Sequence, residues 1–256
     1  MDEWNIIQLV IGLIFIFFMV FRTLSKIMSS KVLMKLFVKI RKNDLFLLSS
    51  YISDKLIFKL NEFLINSKTP EIDIIINTEG GDIFSALHIV DILKNSGKKI
   101  NIFIPHYSMS AGTLISMAGN KIYMTENSSM GPIDPQIGIW WKGLFSKSSL
   151  DYVIKNKKGK AEDDTFAFRY IAGQYEKTIK NTLMRMKPDL SNKSMRFLTD
   201  GKIEHGYRVT PMVGKKLGLD NIDIITDKII LRLLYKMSKK RAIRYQYYKP
   251  PFWKKE

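Results

Sequence analysis

Two short segments carry residue types at spacings that suit acyl chemistry. Ser108-Met-Ser-Ala-Gly112 places a serine where a β-branched run gives way to small residues. At a strand-to-helix connection a hydroxyl projects and the N–H of the next residue can point to the same side, which is what a developing oxyanion requires. Ser110 is therefore a candidate nucleophile, although small residues here also permit close helix packing. Asn77-Thr-Glu-Gly-Gly81 is the second segment. Its paired glycines allow positive φ and expose backbone N–H groups at a strand end, or they simply turn the chain. Two of the three histidines have simpler roles: His106 follows Pro105 and orders that loop, and His88 packs within a helix. Cysteine is absent, which excludes disulfides, zinc-thiolate sites, cysteine-ligated iron-sulfur clusters and a cysteine nucleophile. No cofactor and no metal is expected.

The surrounding elements follow from periodicity. A short strand at 46–48 precedes a helical stretch around 59–64, and a β-branched strand at 72–76 ends in the 77–81 turn. Ile83, Leu87, Val90 and Leu93 then recur at helical spacing. The same grammar repeats with a strand at 100–104, a connection at 105–109, a small-residue helix at 111–118 and a strand at 122–124. Further on lie a long helix over Asp163–Met186, with a stripe of Tyr170, Ile171, Tyr175, Ile179 and Leu183, and a short one at 211–217 closed by Gly218. Nearly continuous apolar strands separated by short helices indicate an α/β layered domain buried on both faces of its sheet.

Charge is concentrated at the ends. Of the net +17, residues 1–43 hold +5 and residues 228–256 hold +9, leaving +3 for 44–227. A nearly neutral middle argues against a nucleic-acid-binding face there. Residues 4–21 carry no charge, and 18 uncharged residues with Trp4 and Arg22 at the borders read as a single-pass transmembrane helix. Asp2 and Glu3 before it, and seven bases after it, place the following domain in the cytoplasm. Lys31, Lys35 and Lys39 share one helical face, with Val32, Leu33, Leu36, Phe37 and Ile40 on another, so this stretch either lies along headgroups or presents an ordinary solvated face. Residues 228–244 form a basic amphipathic helix that could touch a membrane surface, a nucleic acid or a partner, with membrane contact favoured over nucleic acid. The expected organisation is 1–22 anchor, 23–43 basic juxtamembrane segment, 44–227 catalytic domain and 228–256 basic tail.

Gly80-Gly81, a helix, a strand, Ser110-Ala111-Gly112 and Met130-Gly-Pro-Ile-Asp-Pro-Gln136 occur in the order found in the Clp-protease and crotonase superfamily, which this chain resembles. It is most similar to the serine dehydrogenase proteinase family of membrane-linked, Clp-fold serine peptidases. Glu162-Asp-Asp164 before the long helix and Gly201-Lys-Ile-Glu-His205 before Lys216-Leu-Gly-Leu219 carry the similarity further. The resemblance implies a serine endopeptidase with a Clp/crotonase-like fold and a homo-oligomeric assembly. It implies Ser110 as nucleophile, the backbone N–H groups of Gly81 and Ala111 as oxyanion hole, and a peptide or protein substrate bound as a strand beside Gly80-Gly81. The base stays open. Clp proteases place a histidine where this chain has Gly131-Pro-Ile-Asp134, so Asp134 could orient a base or cap a helix. Relatives with a lysine base align with Lys155, Lys157, Lys158 and Lys160, favouring Lys157, with Lys177 as a second possibility. Such a lysine needs its pKa drawn down from about 10.4 toward about 7 or 8. His205 stands about where Clp proteases place their triad acid and could reach Ser110 directly. A catalytically inactive Clp-fold scaffold that binds polypeptides is the alternative function.

Overall fold

β-Branched runs interrupted by glycine turns build a layered α/β domain, for which a computed structural model describes residues 30–139, 143–156, 163–238 and 245–248, with helical positions 4, 8, 11, 12, 14–16 and 19. The first half comprises α1 (Ser30–Arg41), β1 (Asp44–Leu48), α2 (Asp54–Asn66), β2 (Glu71–Ile76), α3 (Ile83–Asn95), β3 (Lys99–Ile104), β4 (Tyr107–Ser108), α4 (Ala111–Met117) and β5 (Lys121–Met124). The second half comprises β6 (Ser129–Met130), β7 (Ile137–Ile139), β8 (Gly143–Phe145), α5 (Lys147–Asn156) and α6 (Asp163–Met186). It continues with α7 (Asn192–Thr199), α8 (Pro211–Lys216), β9 (Ile222–Ile224), α9 (Lys228–Ser238) and β10 (Tyr245–Tyr248).

The main sheet runs β10-β1-β2-β3-β5-β9, parallel throughout except for β10, which pairs antiparallel with β1. Register aligns Phe46 with Ile74, Ile74 with Ile102 and Ile102 with Ile122. These four side chains point to one face, where they form a core with Leu56, Leu60 and Phe63 of α2 and Ile89 and Val90 of α3. Leu45, Leu47, Ile75 and Phe103, one residue out of step, point to the other. Burial on both faces explains why the strands read as unbroken apolar runs rather than alternating ones.

The second face carries a correction. α1 lays Leu33, Met34, Phe37 and Val38 on it, and α9 adds Ile230, Leu233, Leu234 and Met237. The Arg41 guanidinium, at the end of α1, donates to fully buried Asp73 of β2 at 2.9 Å, and Asn43 and Asn101 complete that carboxylate's partners. Within the segments expected to be a juxtamembrane face and a membrane-touching tail, these residues are thus buried on the protein's own sheet, while Val32, Leu36, Ile40 and Ile229 stay exposed. Among the described residues no helix is long and apolar enough to cross a membrane. This overturns the expected single-pass membrane localisation, while most of residues 4–21 lies outside the described set.

A smaller ladder knits the loops at the carboxyl ends of the strands. Ile52 bridges Gly81, Thr78 bridges Ser108, and Met130 bridges Val209, while β4 pairs with β6. Segments that follow β1, β2, β3 and β5 are therefore hydrogen-bonded side by side, which holds the residues on them at defined separations.

Candidate active site

Ser110 joins β4 to α4 with φ 51° and ψ −119°, a conformation that costs a residue bearing a Cβ. The neighbours that impose it are close. A Cβ on Gly80, whose φ is +119°, would lie 3.0 Å from Ser110 Cβ and 3.1 Å from Met109 O. Gly112 sits tighter still, since a Cβ there would lie 2.5 Å from the Thr78 methyl and 2.8 Å from Ser108 Oγ. The Thr113 hydroxyl donates to Ser108 O at 2.6 Å and accepts from Gly131 N at 3.0 Å, pinning α4 to the segments on both sides. Ser110 occupies the position that normally caps a helix, yet its hydroxyl makes no cap hydrogen bond. Oγ is left for a cavity of about 590 Å³ that Ser110 and Ala111 line together.

Gly81 lines the same cavity. Ile52 N donates to Gly80 O at 3.0 Å and Asp82 N donates to Ile52 O at 2.9 Å. Neighbouring amides of an extended segment alternate in direction, so the N–H of Gly81 itself faces away from Ile52. Only glycine fits here, because a Cβ would fall 2.4 Å from Ile52 O. The N–H of Ala111 begins α4 and has no intrahelical acceptor.

His205 and Asp134 complete the polar wall. Asp134 is 2% exposed, and its Oδ1 lies 2.7 Å from His205 Nδ1. Its Oδ2 accepts from the Gln136 amide. A carboxylate only accepts, so Nδ1 carries the proton and Nε2 of the neutral ring keeps its lone pair. Gly201, at φ +63°, lets the 200–205 loop approach: a Cβ there would meet Ser146 at 2.7 Å and Asp134 Oδ2 at 3.1 Å. The loop is tied down by Lys180 of α6, which pairs with both Glu176 and Asp200. Burial alone would lower the Lys180 pKa, and the carboxylates of Asp200 and Glu176 more than offset it, leaving it above the ordinary value.

Other basic residues fall elsewhere. Lys157, Lys158 and Lys160 lie outside the described residues. Lys155 and Lys177 are exposed, on α5 and α6, and no described lysine lines the cavity. Burial and the charge of Lys94 push Lys187 below the ordinary lysine value, but it sits beyond the end of α6, away from Ser110. His88, expected to pack, is exposed. The stripe on α6 splits: Ile179 and Leu183 are buried in the core, whereas Ile171 and Tyr175, with Phe168, form an apolar wall of the cavity. Gln136 and Gly201 were invisible as site residues because nothing local marks a side chain or backbone that supports a distant carboxylate.

Residues 60–256 match a family model described as ClpP-like SDH-type serine proteinase. The chain is 33% identical over 176 residues to uncharacterized protein MJ0137 of Methanocaldococcus jannaschii, covering 66% of the chain and 60% of that relative. To uncharacterized protein MJ1495 of the same organism it is 32% identical over 200 residues, covering 73% and 66%. The chain thus spans less than two thirds of the first relative's length. Among solved structures it is similar to ClpP1 from Listeria monocytogenes, with a TM-score of 0.50 at 18% identity, over 73% of this chain and 94% of that one. At that identity the likeness speaks for the fold.

Proposed function

The chain belongs to the ClpP-like SDH-type serine proteinase family, and from that premise we propose that it hydrolyses peptide bonds through an acyl-enzyme on Ser110. The observation that carries this reading is one cavity lined by an uncapped, positive-φ serine and by a histidine whose Nδ1 is held by a buried carboxylate. In the reaction, Ser110 Oγ attacks the scissile carbonyl carbon while His205 Nε2 takes its proton. The oxyanion forms against the N–H groups of Gly81 and Ala111. Collapse breaks the C–N bond, the amine leaves with the proton from His205, and water, deprotonated by the same ring, releases the acid. Asp134 keeps the ring in the tautomer that can accept. The substrate lies extended beside Gly80-Gly81, with an apolar side chain against Phe168 and Ile171. Assembly into a homo-oligomer belongs to the same reading.

Fluorophosphonate labelling followed by mapping of the adduct tests it. Wild type should carry one adduct, on Ser110, and Ser110→Ala none. His205→Ala should slow peptide turnover by about 10²–10⁴-fold, while Lys157→Ala and Lys177→Ala stay near wild type. An adduct elsewhere, or equal labelling of Ser110→Ala, refutes the nucleophile. Collapse of turnover in Lys157→Ala with His205→Ala intact transfers the base to the lysine.

A further inference from the structure

The apolar wall of the Ser110 cavity is longer than one side chain. Phe168, Ile171 and Tyr175 line the cavity from one face of α6, at steps of three and four residues. At about 1.5 Å per helical residue, the stripe from Phe168 to Tyr175 runs about 10 Å along the helix axis.

One end of that stripe is anchored at the chemistry. Tyr175 meets Phe84 edge to face, with ring centroids 5.1 Å apart, and both rings line the cavity. Phe84 stands three residues past Gly81, in the first turn of α3, which Asp82 fixes by accepting from Ser85 N at 2.7 Å. The walls built by α3 and α6 therefore touch close to the Gly81 amide. The histidine loop reaches the same level of α6. A Cβ on Gly173 would lie 3.5 Å from Lys147 Cδ, and Ser146, the preceding residue, abuts Gly201. Lys180, five residues past Tyr175, pairs with Asp200. Ile171 and Phe168 lie one and two turns further toward the amino end of α6, away from these groups. Apolar surface along the cavity is left in water: Ile171 is 37% exposed, Phe84 57% and Leu144 of β8 69%. Such surface at the edge of a cavity marks where a ligand is buried.

An extended peptide matches this length with two side chains. Successive side chains of a strand point to opposite sides, so those on one side recur every two residues, about 6.6 Å apart. Two of them fit along the wall, and the residue between them faces away. We propose that the cavity takes two apolar side chains of the substrate at alternate positions, one against Phe84 and Tyr175 beside the scissile bond, the other against Ile171 and Phe168. The inference deepens the peptidase reading of Ser110 and rests on it. The substrate class is a polypeptide segment patterned apolar, any, apolar. That is the pattern of a strand half-buried in its own protein, which unfolding exposes.

Internally quenched decapeptides of Ser, Thr and Asn carrying two Leu residues test the spacing. The Leu pair is adjacent, or separated by one or by two residues, and is moved through every register. A pair separated by one residue should be cleaved with kcat/KM at least about tenfold above either other spacing and above a single Leu. The cut should fall at a fixed distance from the pair, which assigns the pair to the amino or the carboxyl side of the scissile bond. Titration calorimetry of the same peptides with Ser110→Ala should give the same order in Kd, independently of turnover. Phe168→Asn and Ile171→Asn, checked for folding by circular dichroism, should each bring the favoured pair to within about twofold of a single Leu. Should either variant fail to fold, the spacing series on the unsubstituted cavity still decides. Equal Kd at all spacings, no binding by any peptide, a best spacing other than one intervening residue, or a preference that survives both substitutions in folded protein overturns the paired subsite. If wild type takes no fluorophosphonate on Ser110 while the spacing preference in Kd holds, the peptidase reading fails and the paired subsite stands.

Discussion

Ser110 pays for its position with backbone strain. At φ 51° and ψ −119° a side chain with a Cβ costs on the order of 1–3 kcal/mol, and glycine adopts such angles freely. Ser110→Gly should therefore raise stability by about 1 kcal/mol after the extra unfolded-state entropy of glycine is set against the relieved strain. For a chain of this size that is about 2–4 °C in Tm. Ser110→Ala keeps the Cβ and should melt near wild type, and both variants should take no fluorophosphonate. Scanning calorimetry checks the order. If Ser110→Gly melts lower than Ser110→Ala, the backbone here is not a strain reservoir.

At the scale of elements, α6 does two jobs with one helix. Ile179 and Leu183 anchor it in the core, and between them Lys180 fastens Asp200 and, through it, the loop that ends at His205. Lys180→Met would leave Asp200, 18% exposed at its side chain, without this cation, and Glu176, 12% exposed, with only Lys147 at 3.9 Å. Breaking a partly buried network of this kind should cost about 1–3 kcal/mol. Peptide turnover should fall with it while labelling still maps to Ser110, and Lys180→Arg should restore most of both. The pH sign follows from the raised lysine pKa: the stabilisation is whole below the ordinary lysine value of 10.5 and is lost only as pH rises through the higher folded value. Urea midpoints of wild type and Lys180→Met should thus differ by the same amount at about pH 6 and about pH 9. A gap that closes within that range removes the ammonium from the explanation.

For the whole molecule, the open edge of the sheet matters most. β10 pairs with β1 from Leu45–Tyr248 through Leu48–Tyr245, so the far end of the chain covers a strand all of whose residues are buried. Removing residues 239–256 should uncover the outer N–H and C=O groups of β1, which then offer a template for another chain. Size-exclusion chromatography should show larger species, and Tm should drop. A truncated chain that elutes and melts like the full one would mean the edge needs no cover.

The first four main-sheet strands, in chain order, are legible from the residues alone, as are the bounds of α6 and the strand-to-helix connection at Ser110. Those features depend on local period, on glycine and on β-branching, all of which a sequence displays directly. Two matters were decided only in three dimensions. His205 and Asp134 lie 71 residues apart, and the proposed pairing of base and support depends on the Gly201 backbone, which lets the loop lie against a buried carboxylate. The two amphipathic helices α1 and α9 raise a related point. A basic amphipathic helix has the same pattern whether its apolar side meets lipid or protein, and only the packed chain shows Phe37 and Leu234 against the second face of the sheet. Periodicity tells which side of a helix avoids water, and tertiary structure supplies what that side finds instead.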